Sequence, residues 1–212
     1  AVWNEAAANA GDAGAQARLG YQHASGFGVT RDLGEAKHWF AAAAAQEHVA
    51  GQLGLGMLLA GSYGDARAPA RAAEWFEKAV AQGNATAKLC LAMLLLHGEG
   101  VARDESRART LLQEAAEAGQ PAAMFHLGEI YRRGLGVAVS ASEAETWLRR
   151  AAARGHVKAL LSLVWLFTSG PEPEAATAAA LCRQAADLGD GEAQYQLAQF
   201  YLAGRGVPKD AT

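Results

Sequence analysis

Apolar residues return along this chain at helical spacing, and the pattern of returns itself repeats. Ala123, Leu127 and Tyr131 stand at i, i+4 and i+8, which puts them on one stripe of a helix. Ala72, Trp75, Phe76, Ala79 and Val80 follow i, i+3, i+4, i+7 and i+8, a second stripe of the same period. No segment alternates with the period of two that marks a half-buried strand, so no strands are predicted.

The stripes recur every 36 residues. Gly83, Gly119 and Gly155 are spaced by 36, Gly11 lies two periods before Gly83 with Glu47 between them, and Gly189 follows Gly155 after 34. Aligning the units gives uniform columns. The fifth reads Ala15, Gly51, Ala87, Ala123, Ala159, Ala193, and the ninth Leu19, Leu55, Leu91, Leu127, Leu163, Leu197. The tenth is small in five of six units: Gly20, Gly56, Ala92, Gly128, Val164, Ala198. A later column reads Trp3, Trp39, Trp75, Leu111, Trp147, Leu181, and four residues on come Ala7, Ala43, Ala79, Ala115, Ala151, Ala185.

Each unit therefore reads as two amphipathic helices. The connections GFGV (Gly26 to Val29), GEGV (Gly98 to Val101), GLGV (Gly134 to Val137) and GRGV (Gly204 to Val207) supply glycine where the first helix must end in a left-handed residue. The glycine that opens most units does the same for the second helix. Small residues in columns five and ten let helices approach closely, and the Trp column is expected to fill the wider gap. The class is all-α: an α-solenoid of about five to six helix-turn-helix repeats. It is expected as a single domain over residues 1–212. Residues 1–10 supply the second helix of a truncated repeat, 11–46, 47–82, 83–118, 119–154 and 155–188 are repeats, and 189–212 is a partial one. Neither terminus reads as the polar capping unit of a solenoid, so the chain is expected to be a segment of a longer protein or to be followed by terminal helices of another type. Two connections depart from the pattern, Gly61 to Ala70 and Ser169 to Thr177. In the second, Pro171 and Pro173 imply a shorter, stiffer link, which either bulges from one edge or is tolerated drift.

Composition narrows the class. The chain has 19 Lys plus Arg against 22 Asp plus Glu, a net charge of −3, which argues against electrostatic binding of nucleic acid. Its 51% hydrophobic content excludes a solvated disordered chain. Alanine, 52 of 212 residues, is in excess, as closely packed helices favour. The longest apolar run, Leu89 to Leu96, is too short to span a bilayer, and the first residues carry no signal-peptide pattern.

The pattern A-x-x-x-L-G-x-x-Y-x-x-G-x-G-V, then D, A-x-x-W, A-A and a closing G, resembles the Sel-one-like repeat, a relative of the tetratricopeptide repeat. The fourth unit carries it in Ala123, Leu127, Gly128, Tyr131, Gly134, Gly136, Val137, Ala144, Trp147, Ala151, Ala152 and Gly155. The resemblance covers the whole chain and implies a right-handed α/α superhelix acting as an adaptor. It also implies bacterial settings such as signalling regulation, cell polarity, exopolysaccharide export or host interaction, in periplasm or cytoplasm, with the periplasm slightly favoured. A cysteine-rich branch of the family linked to penicillin binding places paired cysteines in each repeat. Cys90 and Cys182 lie in different columns more than two units apart, so nothing of that activity carries over, and an intrachain disulfide is not expected.

A search for catalytic patterns finds no GxSxG, HExxH, SxxK or Walker-type loop. His48 and His156 share a repeat position three units apart, too far to share a metal, and His23 reads as a packed core residue. The sequon Asn84-Ala85-Thr86 falls at a helix start. No catalytic residue, metal or cofactor is therefore expected, and a cell-wall or β-lactam hydrolase is a remote alternative.

What remains is surface. If first helices line the concave groove, as the tetratricopeptide relationship implies, column seven (Ala17, Leu53, Leu89, Phe125, Leu161, Tyr195) and column eleven (Tyr21, Met57, Met93, Glu129, Trp165, Gln199) point into it or pack the helices together. The candidate partner-binding residues are Tyr21, Met57, Met93, Phe125, Glu129, Arg132, Arg133, Trp165 and Tyr195. Tyr, Met and Trp suit adaptable apolar contacts, and Arg132 and Arg133 with Glu129 form a charged patch suited to a partner carboxylate. The expected function is a non-catalytic scaffold that holds a partner protein or peptide in this groove. The alternative is a structural envelope or assembly scaffold, with self-association through the open repeat ends.

Overall fold

The computed structural model describes residues 2–64, 67–169 and 173–209, with the side chains of residues 2–4 also left aside; the ring of Trp3 and the whole of Pro171 thus lie outside the described residues. Twelve α-helices and no strands occur among the described residues. The first helices of the repeats are α2 (Ala13–Ser25), α4 (Val49–Leu59), α6 (Ala85–His97), α8 (Pro121–Arg133), α10 (Val157–Ser169) and α12 (Gly191–Ala203). The second helices are α1 (Val2–Asn9), α3 (Leu33–Ala45), α5 (Pro69–Ala81), α7 (Glu105–Glu117), α9 (Ala141–Ala152) and α11 (Ala175–Asp187). The chain divides into two compact units, Ala1–Ala115 and Ala116–Thr212.

Local chemistry sets the helix boundaries. Asp12, Asn84 and Asp190 cap α2, α6 and α12, each carboxylate or amide oxygen accepting the N–H three residues on, at 2.6, 2.8 and 2.9 Å. Asn84, the sequon residue, is thus a helix cap. His48 and Gln120 hold the same position before α4 and α8 and make no such bond. The opening glycines Gly11, Gly83, Gly119, Gly155 and Gly189 all take positive φ, and Glu47 takes φ 57° in their place, the one non-glycine to do so among the described residues.

The second glycine of the GxGV turn has a further duty. A Cβ on Gly100 would stand 2.2 Å from the backbone nitrogen of Ala70, and one on Gly206 2.3 Å from the carbonyl of Ala175. These two turns therefore lie directly on the first turn of the preceding repeat's second helix, where no side chain fits, whereas Gly28 faces open space. In the first unit an arginine two residues after this turn, or its equivalent, reinforces the junction. Arg31 donates through Nε to the Ala24 carbonyl at 3.2 Å and through Nη2 to the carbonyl of Tyr63 in the next turn. Arg67 does likewise with Ala60, at 3.2 Å, and pairs with Glu99. A glutamine clamp closes each of the first two repeats. Gln46 Nε2 donates to the Gly11 carbonyl at 3.0 Å and to Gln16 Oε1 at 2.9 Å, and Gln82 treats Glu47 and Gln52 the same way at 2.9 Å each.

The core refines one expectation. The Trp column fills the gap between helices only in part: Trp39 and Trp75 pack against the edges of core clusters, and Leu111 and Leu181 are buried. Trp39, Trp75 and Trp147 are half-buried, with Lys78 Nζ 3.9 Å above the Trp75 ring and the Arg150 guanidinium 4.3 Å above that of Trp147. The residue that follows the Trp-column position is the more deeply buried one: Phe40, Phe76, Leu112, Leu148 and Cys182 all lie below 2% exposure. Their space comes from column ten. A methyl on Gly20 would stand 2.5 Å from the Phe40 ring, one on Gly56 2.5 Å from Phe76, and one on Gly128 2.6 Å from Leu148. Where column ten is larger the residue in the filler column is smaller than Phe, as with Ala92 and Leu112 or Val164 and Cys182, and Leu148 meets Gly128. The largest fillers, Phe40 and Phe76, face glycine, as close packing requires.

Candidate partner-binding face

The predicted surface residues sit on first helices, in both units, and their surroundings differ. In the first unit Tyr21 is half-buried on α2. Its ring meets Phe40 edge-on at 4.8 Å, and its hydroxyl donates to the Ala50 carbonyl at 3.4 Å. Burial pushes that hydroxyl up to about 12, with Tyr63 and Cys90 adding to the shift. Met57 and Met93 are also half-buried, whereas Ala17 and Leu53 of column seven are buried. This face is mostly consumed by packing. Tyr63, from the irregular connection, lies against the cluster of Phe40, Leu55 and Leu58.

In the second unit the face is more polar and more open. Glu129 of α8 is buried, and it takes both arginines: Arg132 at 2.7 Å and Arg133 at 2.9 Å. Burial raises the Glu129 carboxyl, but hydrogen bonds from Arg132 and Ser162 and the two guanidinium charges outweigh it, so the carboxyl lies below its ordinary value. The three groups thus form an internally paired cluster with one cation in excess, rather than two free arginines. Arg132 also lies over Trp165, its guanidinium carbon 4.4 Å from the ring centre, a cation–π contact that covers one side of the indole. Trp165 remains 50% exposed on α10, a large fraction for so large an apolar ring. Phe125 stacks on the ring of His156 at 4.5 Å and is half-buried, so it supports α10 from beneath. Tyr195, on the last described helix, is 65% exposed. The structure therefore brings Glu129, Arg132, Arg133 and Trp165 together in one cluster. Tyr21, Met57 and Met93 belong to the other unit.

His156 occupies the cap position before α10, and its Nδ1 is buried with no hydrogen-bond partner. Burial holds its pKa below the ordinary value; a backbone hydrogen bond opposes this and Lys158 adds to it. A histidine with a lowered folded pKa is bound less tightly by protons when folded. Its contribution to stability is thus fully present above the unfolded pKa of about 6.5 and is lost as pH falls through the folded value. His156→Asn supplies the missing cap, worth about 1 kcal/mol, and gives up a Phe125 stack of similar worth. Thermal melts between pH 7.5 and 5 should show near-equal stability at neutral pH and a shallower acid loss for the variant. An unchanged acid slope would remove His156 as its source.

Among the described residues no group of three or more His, Cys, Asp or Glu is placed to hold a metal ion, and no helix is long and apolar enough to cross a membrane. Cys90 and Cys182 are both free; Cys182 is buried and donates to the Ala193 carbonyl at 3.1 Å.

Paired helices, left-handed glycines at both turns and a filler residue facing a small one define a helix-turn-helix repeat protein. The Sel1 repeat matches residues 13–48, 49–84, 85–120, 121–156, 164–190 and 191–212, and the chain belongs to the Sel1 repeat family. Two solved structures are similar over 98% of this chain at 31% identity each. One is c5321, a protective antigen of uropathogenic Escherichia coli strains displaying an SLR fold (TM-score 0.88), and the other a Sel1 repeat protein from Oxalobacter formigenes (TM-score 0.85). This chain spans 45% and 61% of their lengths. The immunity protein Pa5087 from Pseudomonas aeruginosa is similar over 73% of this chain and 58% of its own, at 25% identity and a TM-score of 0.52. A comparison with curated proteins finds no match. Sel1 repeat proteins are generally protein-interaction scaffolds rather than enzymes.

Proposed function

We propose that this chain is a non-catalytic adaptor that binds a partner protein or peptide on the first-helix face of its second unit, with Trp165 as the central contact. The observation that carries this reading is the half-exposed indole of Trp165, covered on one side by Arg132, which is itself anchored to buried Glu129. A rigid aromatic loses little entropy on binding and presents much apolar area, which is why such residues dominate interface energetics. The near-neutral charge of the chain fits a partner held by shape and apolar contact. Tyr21, Met57 and Met93 serve as secondary contacts on the first unit.

Trp165→Ala should weaken capture of the native partner from cell extract by about 30-fold, the equivalent of about 2 kcal/mol, while the helical circular-dichroism signal and melting temperature stay those of the parent. Undiminished capture by the folded variant would overturn the assignment of Trp165.

A further inference from the structure

We infer that the cleft between α10 and α12 recognises a partner peptide in which an apolar side chain stands next to an acidic residue. This deepens the adaptor reading above and rests on it, since the cleft opens on the first-helix face of the second unit.

The cleft measures about 300 Å³, at the small end of the range for ligand pockets and enough for one aliphatic side chain with its peptide unit. Val164, Phe200 and Ala203 form an apolar floor, and Thr168, Gln196 and Gln199 a polar rim, with Arg205 at one end. One repeat earlier the corresponding space is filled by the protein itself. Arg132 stands where Thr168 stands 36 residues later, and its guanidinium lies over Trp165 and pairs with Glu129. In the next interval the arginine is replaced by the short Thr168 and the indole by Gln199, so the same architectural cleft stays open.

The rim fits a peptide backbone. Thr168 Oγ1 already donates to the Val164 carbonyl at 2.9 Å, so its oxygen is left to accept an N–H. Gln196 donates to Glu192 at 2.7 Å, which leaves its carbonyl oxygen to accept another. The amide of Gln199 offers a donor and an acceptor together, matching one peptide unit. The one charged residue lining the cleft is Arg205, just past the end of α12, with no ion pair among the described residues. A partner carboxylate is therefore favoured at the Arg205 end, where a guanidinium can take it in a two-point contact. The apolar side chain then falls on Val164 and Phe200.

The test is a nuclear magnetic resonance titration of the full chain, labelled with nitrogen-15, against two acetylated and amidated peptides, Gly-Leu-Asp-Gly and Gly-Leu-Asn-Gly. Amide shifts should cluster at Val164, Thr168, Gln196, Gln199 and Arg205. The Asp peptide should bind about three- to fivefold tighter than the Asn peptide, as expected for a solvent-facing ion pair. Arg205→Gln should erase that preference, and Thr168→Arg, which refills the cleft as Arg132 fills its neighbour, should abolish the shifts at unchanged melting temperature. Equal affinity for the two peptides, or shifts centred elsewhere, overturns the inference. The adaptor reading has its own readout: if Trp165→Ala loses the native partner while neither peptide binds the cleft, only the cleft assignment falls.

Discussion

Phe76→Ala should destabilise the chain by about 3–5 kcal/mol, whereas Trp75→Ala should cost about 1–2 kcal/mol, although tryptophan is the larger residue and the more regular column. Phe76 is 1% exposed, and its ring presses on the backbone of Gly56, where a methyl would approach to 2.5 Å. Truncating it leaves a cavity walled by helix backbone on one side, which cannot collapse to fill it. Trp75 is half-buried at the edge of the cluster of Phe40, Leu55 and Leu58, under the ammonium of Lys78, so its removal opens less enclosed space than that of Phe76. Chemical denaturation followed by circular dichroism measures both. A Trp75→Ala cost equal to that of Phe76→Ala would return the core to the Trp column.

Gly56→Ala supplies the second large effect, and its sign runs against helix propensity. Alanine is the better helix former by about 1 kcal/mol, yet the added methyl meets the Phe76 ring, and forcing extra volume into a close-packed site costs about 1–3 kcal/mol. The net change should be destabilising, and Phe76→Leu in the same chain should relieve it, since Ala92 and Leu112 already form that combination one repeat later. The double variant should be more stable than the sum of the single costs by about 1–3 kcal/mol in a double-mutant cycle. Strictly additive costs would show that columns ten and filler are not matched in volume.

Much of the architecture was legible without coordinates because it is written in short-range chemistry. The 36-residue period, the two helices per unit and the glycines at both turns depend on residues close in sequence, and the helices fall where the spacing places them. The identity of the core filler was not legible. Trp75 and Phe76 are neighbours about 100° apart on one helix, both inside the apolar stripe, and only the positions of the flanking helices determine which one points at Gly56. The volume match between column ten and the filler column was the available signal, and it becomes visible only when the two columns are read against each other.

The candidate surface divides in the same way. Sequence spacing put Glu129, Arg132, Arg133 and Trp165 on adjoining first helices, and they do meet. That Glu129 pairs with both arginines, and that one guanidinium is stacked on the indole, depends on side-chain distances that no spacing specifies. The glutamine clamps and the Arg31 and Arg67 staples join residues about 30 positions apart and left no periodic apolar trace to find.

By itself, then, the sequence determined the repeat, its helices and its turns, because hydrophobic periodicity and left-handed glycines act within a few residues. Only the tertiary structure decided which aromatic is core, which charges are spent internally and which inter-helix cleft stays open. Those outcomes depend on volume and distance between helices, and a single short side chain, Thr168 in place of an arginine, is enough to change them.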